Sequence, residues 1–180
     1  MKITLEYILR FFLVVTFFLF YNCSGQGQKK GDVGRTLTFE EAIQMNQNQV
    51  KGEQYVIKKF VEDNNLNMQV TGTGLWYKIT KTRDGIPVEK DKVISLNYEV
   101  MLMDSTICYS SDEDGVKTFL VGRGGVESGL EEGILLLKEG DEATFILPSH
   151  LAHGLVGDDN KIPSRAIIQY KVEVLKVKDK

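Results

Sequence analysis

Two periods of apolar residues divide the chain. In 53–66 the residues Val56, Ile57, Phe60 and Val61 form one stripe at helical spacing. Upstream, Thr38-Phe39-Glu40-Glu41 has the spacing of a capping box, with a hydroxyl at the helix start and a glutamate three residues on. Together they predict a helical arm over 38–70. From Thr71-Gly72-Thr73-Gly74 the period shortens to two. Leu75–Ile79 reads as a strand ended by Arg83-Asp84-Gly85. In 93–102, Ile94, Leu96, Tyr98, Val100 and Leu102 share one face, and Ser95, Asn97 and Glu99 the other. Ser110–Gly115 reads as a polar loop and 116–121 as a further strand. A short helix follows, with Leu130, Ile134 and Leu137 at i, i+4 and i+7 and Gly140 closing it. Ala143, Phe145 and Leu147 alternate in the next strand, and Ile168, Tyr170, Val172 and Val174 in the last. The pattern predicts an α+β domain over 71–180, an antiparallel sheet wrapped around one short helix and preceded by the helical arm.

The first 22 residues follow neither period. Phe11 to Tyr21 is apolar apart from Thr16, holds five of the nine phenylalanines, and follows Lys2 and Arg10. Such a run is too short for a membrane-spanning helix, which needs ~20 residues. It fits the apolar part of an export signal, read here as 1–22. Cys23 comes next, and a cysteine at that place resembles a bacterial lipoprotein signal, although Phe20-Tyr21-Asn22 replaces the usual leucine and small residues. An ordinary secretory signal and an uncleaved anchor are the other readings. The resemblance implies that Cys23 carries lipid; the Gly-, Gln- and Lys-rich stretch within 23–37 lacks apolar periodicity and reads as a flexible tether. Ser24 is not the aspartate associated with inner-membrane retention. The expected place is therefore the cell envelope, on the outer membrane facing the periplasm.

Charge and cysteine count narrow the chemistry. The 180 residues carry 22 Lys+Arg against 25 Asp+Glu. No basic block exists, which excludes a nucleic-acid partner. With Cys23 acylated, Cys108 has no partner for an internal disulfide. His150-x-x-His153 with Asp158 and Asp159 is too weak a set for a metal site and reads as a polar loop. Gly122-Arg123-Gly124-Gly125 lacks the Lys-Ser/Thr of a phosphate loop and reads as a tight turn. Cys108 has no group to orient a base beside it. Trp76 reads as a packing residue. No cofactor is implied.

Three stretches carry a family resemblance: "ISLNYEVMLMDS", "FLVGRGGVESGLEEGILLLKEGDEATFILP" and "IPSRAIIQYKVEVLKV". In order and spacing they resemble the FKBP-type peptidyl-prolyl isomerases, over about Leu75 to Val177, with Gly122, Val126, Gly129, Glu131, Glu132 and Gly133 as the framework. The arrangement of signal cysteine, tether and arm resembles exported lipoproteins of that family, including those associated with gliding motility. The resemblance implies an apolar pocket at the start of the short helix that twists Xaa-Pro bonds. Tyr98 and Val126 match the family's pocket residues, Ile162 matches the apolar residue before the covering proline, and Tyr170 takes the place of a phenylalanine. His153 stands where a tyrosine donates to the substrate carbonyl, so Tyr98, His153 and Tyr170 are the expected catalytic set. Cys108, Tyr109, Val126, Glu127, Leu130 and Ile162 are the expected substrate contacts.

Several of these depart from the family. Leu130 replaces a tryptophan floor, Cys108 a phenylalanine, Tyr109 an aspartate, Lys117 an aromatic and Glu127 an isoleucine. An aromatic side chain buries ~150–250 Å², worth several kcal/mol at ~25 cal/mol/Å², so the expected grip on proline is weaker. The expected partners are proline-containing exported polypeptides and, through lipid, a membrane. The alternative function is a binding or chaperone module in an envelope assembly such as gliding-motility or secretion machinery. A third reading has the arm dimerise or dock into a larger envelope assembly, and the sequence sets no oligomeric state.

Overall fold

The computed structural model describes residues 36–180. The expected signal 1–22, the lipidated Cys23 and the tether up to residue 35 lie outside the described residues. Phe39–Lys180 forms one compact unit, arm included.

Helix α1 (Phe39–Asp63) begins directly after Thr38 and carries Glu40 and Glu41 in its first turn, where the positive end of the helix favours carboxylates. Its end is set by Asn65, which takes a left-handed φ of 53°. The amide of Leu66 then donates to the Val61 carbonyl at 2.9 Å and that of Asn65 to Glu62 at 3.2 Å. This is the Schellman pairing, and Leu66 and Val61 add its apolar contact in the same cluster. The buried line of α1 is Glu53, Ile57 and Val61. Val56, expected in the stripe, is 50% exposed. It sits about 100° around the helix from Ile57, and the position one turn before Ile57 belongs to a buried glutamate instead.

Beyond α1 the chain enters the sheet earlier than the sequence suggests. Strand β1 (Gln69–Val70) pairs with β2 (Trp76–Lys81) across the Thr71–Gly74 turn. Then come β3 (Val93–Leu102), β4 (Ile107–Ser110), a one-turn helix α2 (Ser111–Asp114) and β5 (Lys117–Leu120). The expected loop 110–115 thus holds a helical turn, because the Ser110 hydroxyl accepts from the Glu113 amide at 3.4 Å. Helix α3 (Ser128–Ile134), β6 (Glu142–Leu147), a 3₁₀ turn (Ser149–Leu151) and β7 (Ile168–Lys178) complete the fold. All pairings are antiparallel, in the order β1-β2-β6-β7-β3-β4. β4 and β5 share one edge of β3, β4 against Glu99–Met101 and β5 against Val93–Leu96. α2 lies in the gap between them.

Helix α3 is shorter than expected. Past Ile134 the amides of Leu136 and Leu137 bond back to Gly133 and Ile134 in tight turns. Gly140 falls in the later turn before β6, at φ 88°. Buried Asp141 holds that turn by accepting from the amides of Arg83 (2.6 Å) and Lys138 (2.9 Å).

The sheet is covered on both faces. On one, Leu130, Ile134 and Leu137 pack with Leu96, Val100, Phe145, Leu147 and the inward residues of β7. Ile146 points the other way, as strand alternation requires, and packs with Ile57, Val61 and Trp76. The Trp76 indole donates to Gln54 Oε1 at 2.8 Å, so it is a packing residue, as expected.

The approach of α3 to the sheet is exceptionally close. A Cβ at Gly129 would stand 2.7 Å from Leu147 Cγ, and one at Gly133 would stand 2.8 Å from the Phe145 ring. Gly133→Ala is therefore expected to lower stability by about 1–3 kcal/mol through overpacking, read as a lower urea midpoint at unchanged slope. A midpoint equal to or above wild type would show that the helix has room to move.

Candidate functional site

The two glutamates of the Gly-Leu-Glu-Glu-Gly step brace the helix that borders the site. Glu131 accepts from the amides of Gly122 at 2.7 Å and Gly124 at 3.2 Å, holding a turn whose glycines have φ of 80° and 72°. Glu132 accepts from the Thr73 hydroxyl at 2.7 and 2.9 Å, tying α3 to the turn between β1 and β2. The sequence flags both as family markers; the structure gives each a bonding role.

Between α3, β3, β4 and the 152–162 loop lies a cavity of about 460 Å³. Rings of Tyr98, Tyr109 and Tyr170 line it, with Val100 adding apolar surface. Tyr98 is placed by β3 and braced by α2. Its amide donates to Ser111 Oγ at 3.1 Å, and Ser111 Oγ donates back to its carbonyl at 3.3 Å. Lys117 Nζ, at the position where the family commonly has an aromatic, sits 4.9 Å from the Tyr98 ring centroid as a cation–π contact. Burial, and then the negative charge of Asp114 at the rim, push the Tyr98 hydroxyl above its ordinary pKa. It therefore remains a proton donor at neutral pH.

The inner end of the cavity is polar. Tyr170, on β7, is buried and donates to Glu127 Oε1 at 2.9 Å. Burial, reinforced by the Glu127 charge, drives its pKa far upward. His153 Nε2 lies 3.0 Å from the same carboxylate oxygen. The two atoms form no hydrogen bond: His153 Nε2 is buried without a hydrogen-bond partner, and so is the other carboxylate oxygen, Glu127 Oε2. A carboxylate with one spare acceptor and an imidazole thus face a site otherwise walled by rings.

The outer rim is a loop held by Asp158. Its Oδ1 accepts from the amides of Asn160 (2.9 Å) and Ile162 (2.8 Å), and its Oδ2 accepts the Tyr109 hydroxyl. Asn160 Nδ2 donates to the Tyr109 oxygen at 3.1 Å. Burial disfavours the Asp158 charge, but these bonds outweigh it and hold its pKa below the usual carboxylate range. The bond to Asp158 raises Tyr109. Lys161 Nζ rests 5.1 Å from the Tyr109 ring centroid.

Of the nine expected pocket residues, Tyr98, Tyr109, Glu127, His153 and Tyr170 meet in this cavity. The other four do not line it. Leu130, expected as the floor, is fully buried, and so nearly are Cys108 and Ile162. Glu127 and Tyr170, joined by their hydrogen bond, line the cavity where Leu130 does not. Cys108 Sγ is 3.6 Å from the Lys161 carbonyl, and burial pushes its thiol pKa up, opposite to what a nucleophile needs. Ile162 acts through its backbone, on Asp158. Val126 opens on a separate shallow groove with Leu135. Asp114, Asp158 and Asn160 were not anticipated as lining residues. The Asp-x-Asn spacing of the last two, typical of a side chain bonding its own loop, was the available signal. Among the described residues no three potential metal ligands come together. His150 instead meets the Thr73 carbonyl at 3.1 Å.

Comparison with known proteins agrees with this frame. Residues 85–175 match the family described as FKBP-type peptidyl-prolyl cis-trans isomerase. FkpA of Neisseria meningitidis, described as a probable FKBP-type isomerase, is 37% identical over 131 residues, 72% of this chain and 46% of that protein. The chain thus spans less than half of that relative's length. Bovine FKBP2 is 32% identical over 62% of this chain and 86% of its own. In three dimensions the chain resembles FkpA from Escherichia coli, with a TM-score of 0.60 at 23% identity, covering 80% of this chain and 75% of that one. It also resembles AtFKBP13, with a TM-score of 0.59 at 24% identity, covering 61% of this chain and 98% of that one. Sheet order, seated helix, matched stretch and sequence identity all lead to one assignment: this chain belongs to the FKBP-type peptidyl-prolyl cis-trans isomerase family.

Proposed function

We propose that the chain is a peptidyl-prolyl cis-trans isomerase with a polar-floored site, acting on proline-containing exported polypeptides. The observation that carries this is the ring-lined cavity of Tyr98, Tyr109 and Tyr170, closed inwardly by Glu127 and His153, in a chain of this family. The reaction needs no nucleophile. Rotation about an Xaa-Pro bond has a barrier of ~18–20 kcal/mol because conjugation is lost midway. Rings that hold the prolyl group and exclude water favour the twisted form, which water solvates less well than the planar one. A donor near the carbonyl adds to that preference, and the His153 ring supplies an N–H in either tautomer or when charged.

The first test measures cis-to-trans conversion of Xaa-Pro peptides by the full chain. Catalysis is expected, and Tyr98→Ala is expected to lower kcat/KM about tenfold or more, since truncation removes much of an aromatic contact surface. A wild-type rate equal to background at micromolar protein, for several residues before proline, removes the proposal.

The rim adds a pH dependence. The folded-state pKa of Asp158 lies below its unfolded value of ~3.9. Its stabilising effect is therefore complete above that unfolded value and is lost as pH falls through the lower folded one. Urea midpoints of wild type and Asp158→Asn are expected to differ by a constant amount from pH 5 to 8 and to converge below about pH 4. A gap that instead closes between pH 5 and 7 contradicts this role.

We place the site at the cell envelope, with Cys23 lipidated and the chain on the outer membrane facing the periplasm. The support is the apolar segment Phe11–Tyr21 directly before Cys23 and the Ser24 that follows it. Metabolic labelling with a fatty-acid analogue is expected to mark wild type and not Cys23→Ala. Equal labelling of both, or of neither, rejects the anchor.

A further inference from the structure

Glu53 is a carboxylate in the middle of the buried stripe of α1, 6% exposed. It accepts three hydrogen bonds, one from Gln49 Nε2 at 2.6 Å on its own helix. The other two come from a single residue 96 positions away: Ser149 donates its amide at 2.8 Å and its hydroxyl at 2.7 Å. An apolar side chain would satisfy this place in the stripe at less desolvation cost. What offsets the burial of Glu53 is therefore chiefly its grip on Ser149.

Ser149 opens the 3₁₀ turn that follows β6, and the loop beyond it leads into the cavity. While its donors are held by Glu53, its carbonyl accepts the amides of Ala152 at 3.0 Å and Gly154 at 2.8 Å. These two residues flank His153. The Gly154 carbonyl then accepts the Arg165 amide at 3.0 Å, closing the loop near its return to β7. One serine thus joins a carboxylate on the arm to the backbone on both sides of the cavity histidine. The His153 ring ends 3.0 Å from Glu127 Oε1.

We infer that Glu53 is a positioning residue of the isomerase site: through Ser149, the helical arm fixes the place of His153 in the cavity. The arm is then part of the working site and not only a spacer before it. The inference rests on the isomerase reading above and goes beyond it.

A double-mutant cycle on the full chain tests it, comparing wild type, Glu53→Ala, His153→Ala and the double variant by kcat/KM and by urea midpoint. Glu53→Ala is expected to lower kcat/KM about tenfold where His153 is present and less than about twofold where it is absent. The midpoint is expected to fall equally in both backgrounds. Equal rate losses in both backgrounds, or a stability loss with no rate change, overturn the inference. Should Glu53→Ala not fold, Glu53→Gln, which keeps the shape and one acceptor, takes its place and is judged by the same non-additivity. If the wild-type chain shows no catalysis, the isomerase reading fails on its own. The coupling is then read from the His153 ring and amide resonances, which shift in the Glu53 variant if the inference holds and stay in place if it does not.

Discussion

The fold depends on how near a seven-residue helix can come to a sheet. At Gly129 and Gly133 even one methyl group would collide with Leu147 or Phe145. A helix of this length has little stability of its own, so its place is set from outside. Leu130 and Ile134 fix it from below, and Glu131 and Glu132 hold the turns on either side. From that seating follows the position of Glu127, the residue before α3, close enough for the Tyr170 hydroxyl to reach it.

The consequence is a site of mixed character. Rings form the walls, as a proline-binding cavity requires, while a carboxylate, a phenol and an imidazole meet at the inner end. An unpartnered carboxylate oxygen inside a low-dielectric cavity is costly, so a ligand that brings a donor to it gains more than the same contact would give in water. The rim repeats the theme: Asp158 organises its loop and orients Tyr109.

Much of this was legible in the sequence. Period-two alternation located β3, β6 and β7, and the inward set Ile168, Tyr170, Val172 and Val174 is buried throughout. The motif order gave the family and five of the cavity residues. What stayed hidden was long-range and polar. Nothing local to Glu53 indicates a partner 96 residues away, although a glutamate one turn before Ile57 on an apolar stripe was the visible irregularity. Ile146, apolar on the face opposite Phe145, was the sign that the arm covers the second side of the sheet. Leu130 and Cys108 were placed by analogy with larger aromatic residues, and Ile162 by a direct match. The polar pair at 127 and 170, joined by a hydrogen bond, changes which atoms reach the cavity, and a position-by-position reading does not show that.

The most direct measurement is exchange spectroscopy on an Xaa-Pro peptide mixed with the isotope-labelled full chain, following both partners at once. The account predicts cis–trans exchange faster than in peptide alone, with shifts concentrated at Tyr98, Glu127, His153 and Tyr170. Exchange at the uncatalysed rate, or shifts clustered around Trp76 and the end of α1 instead, would contradict it.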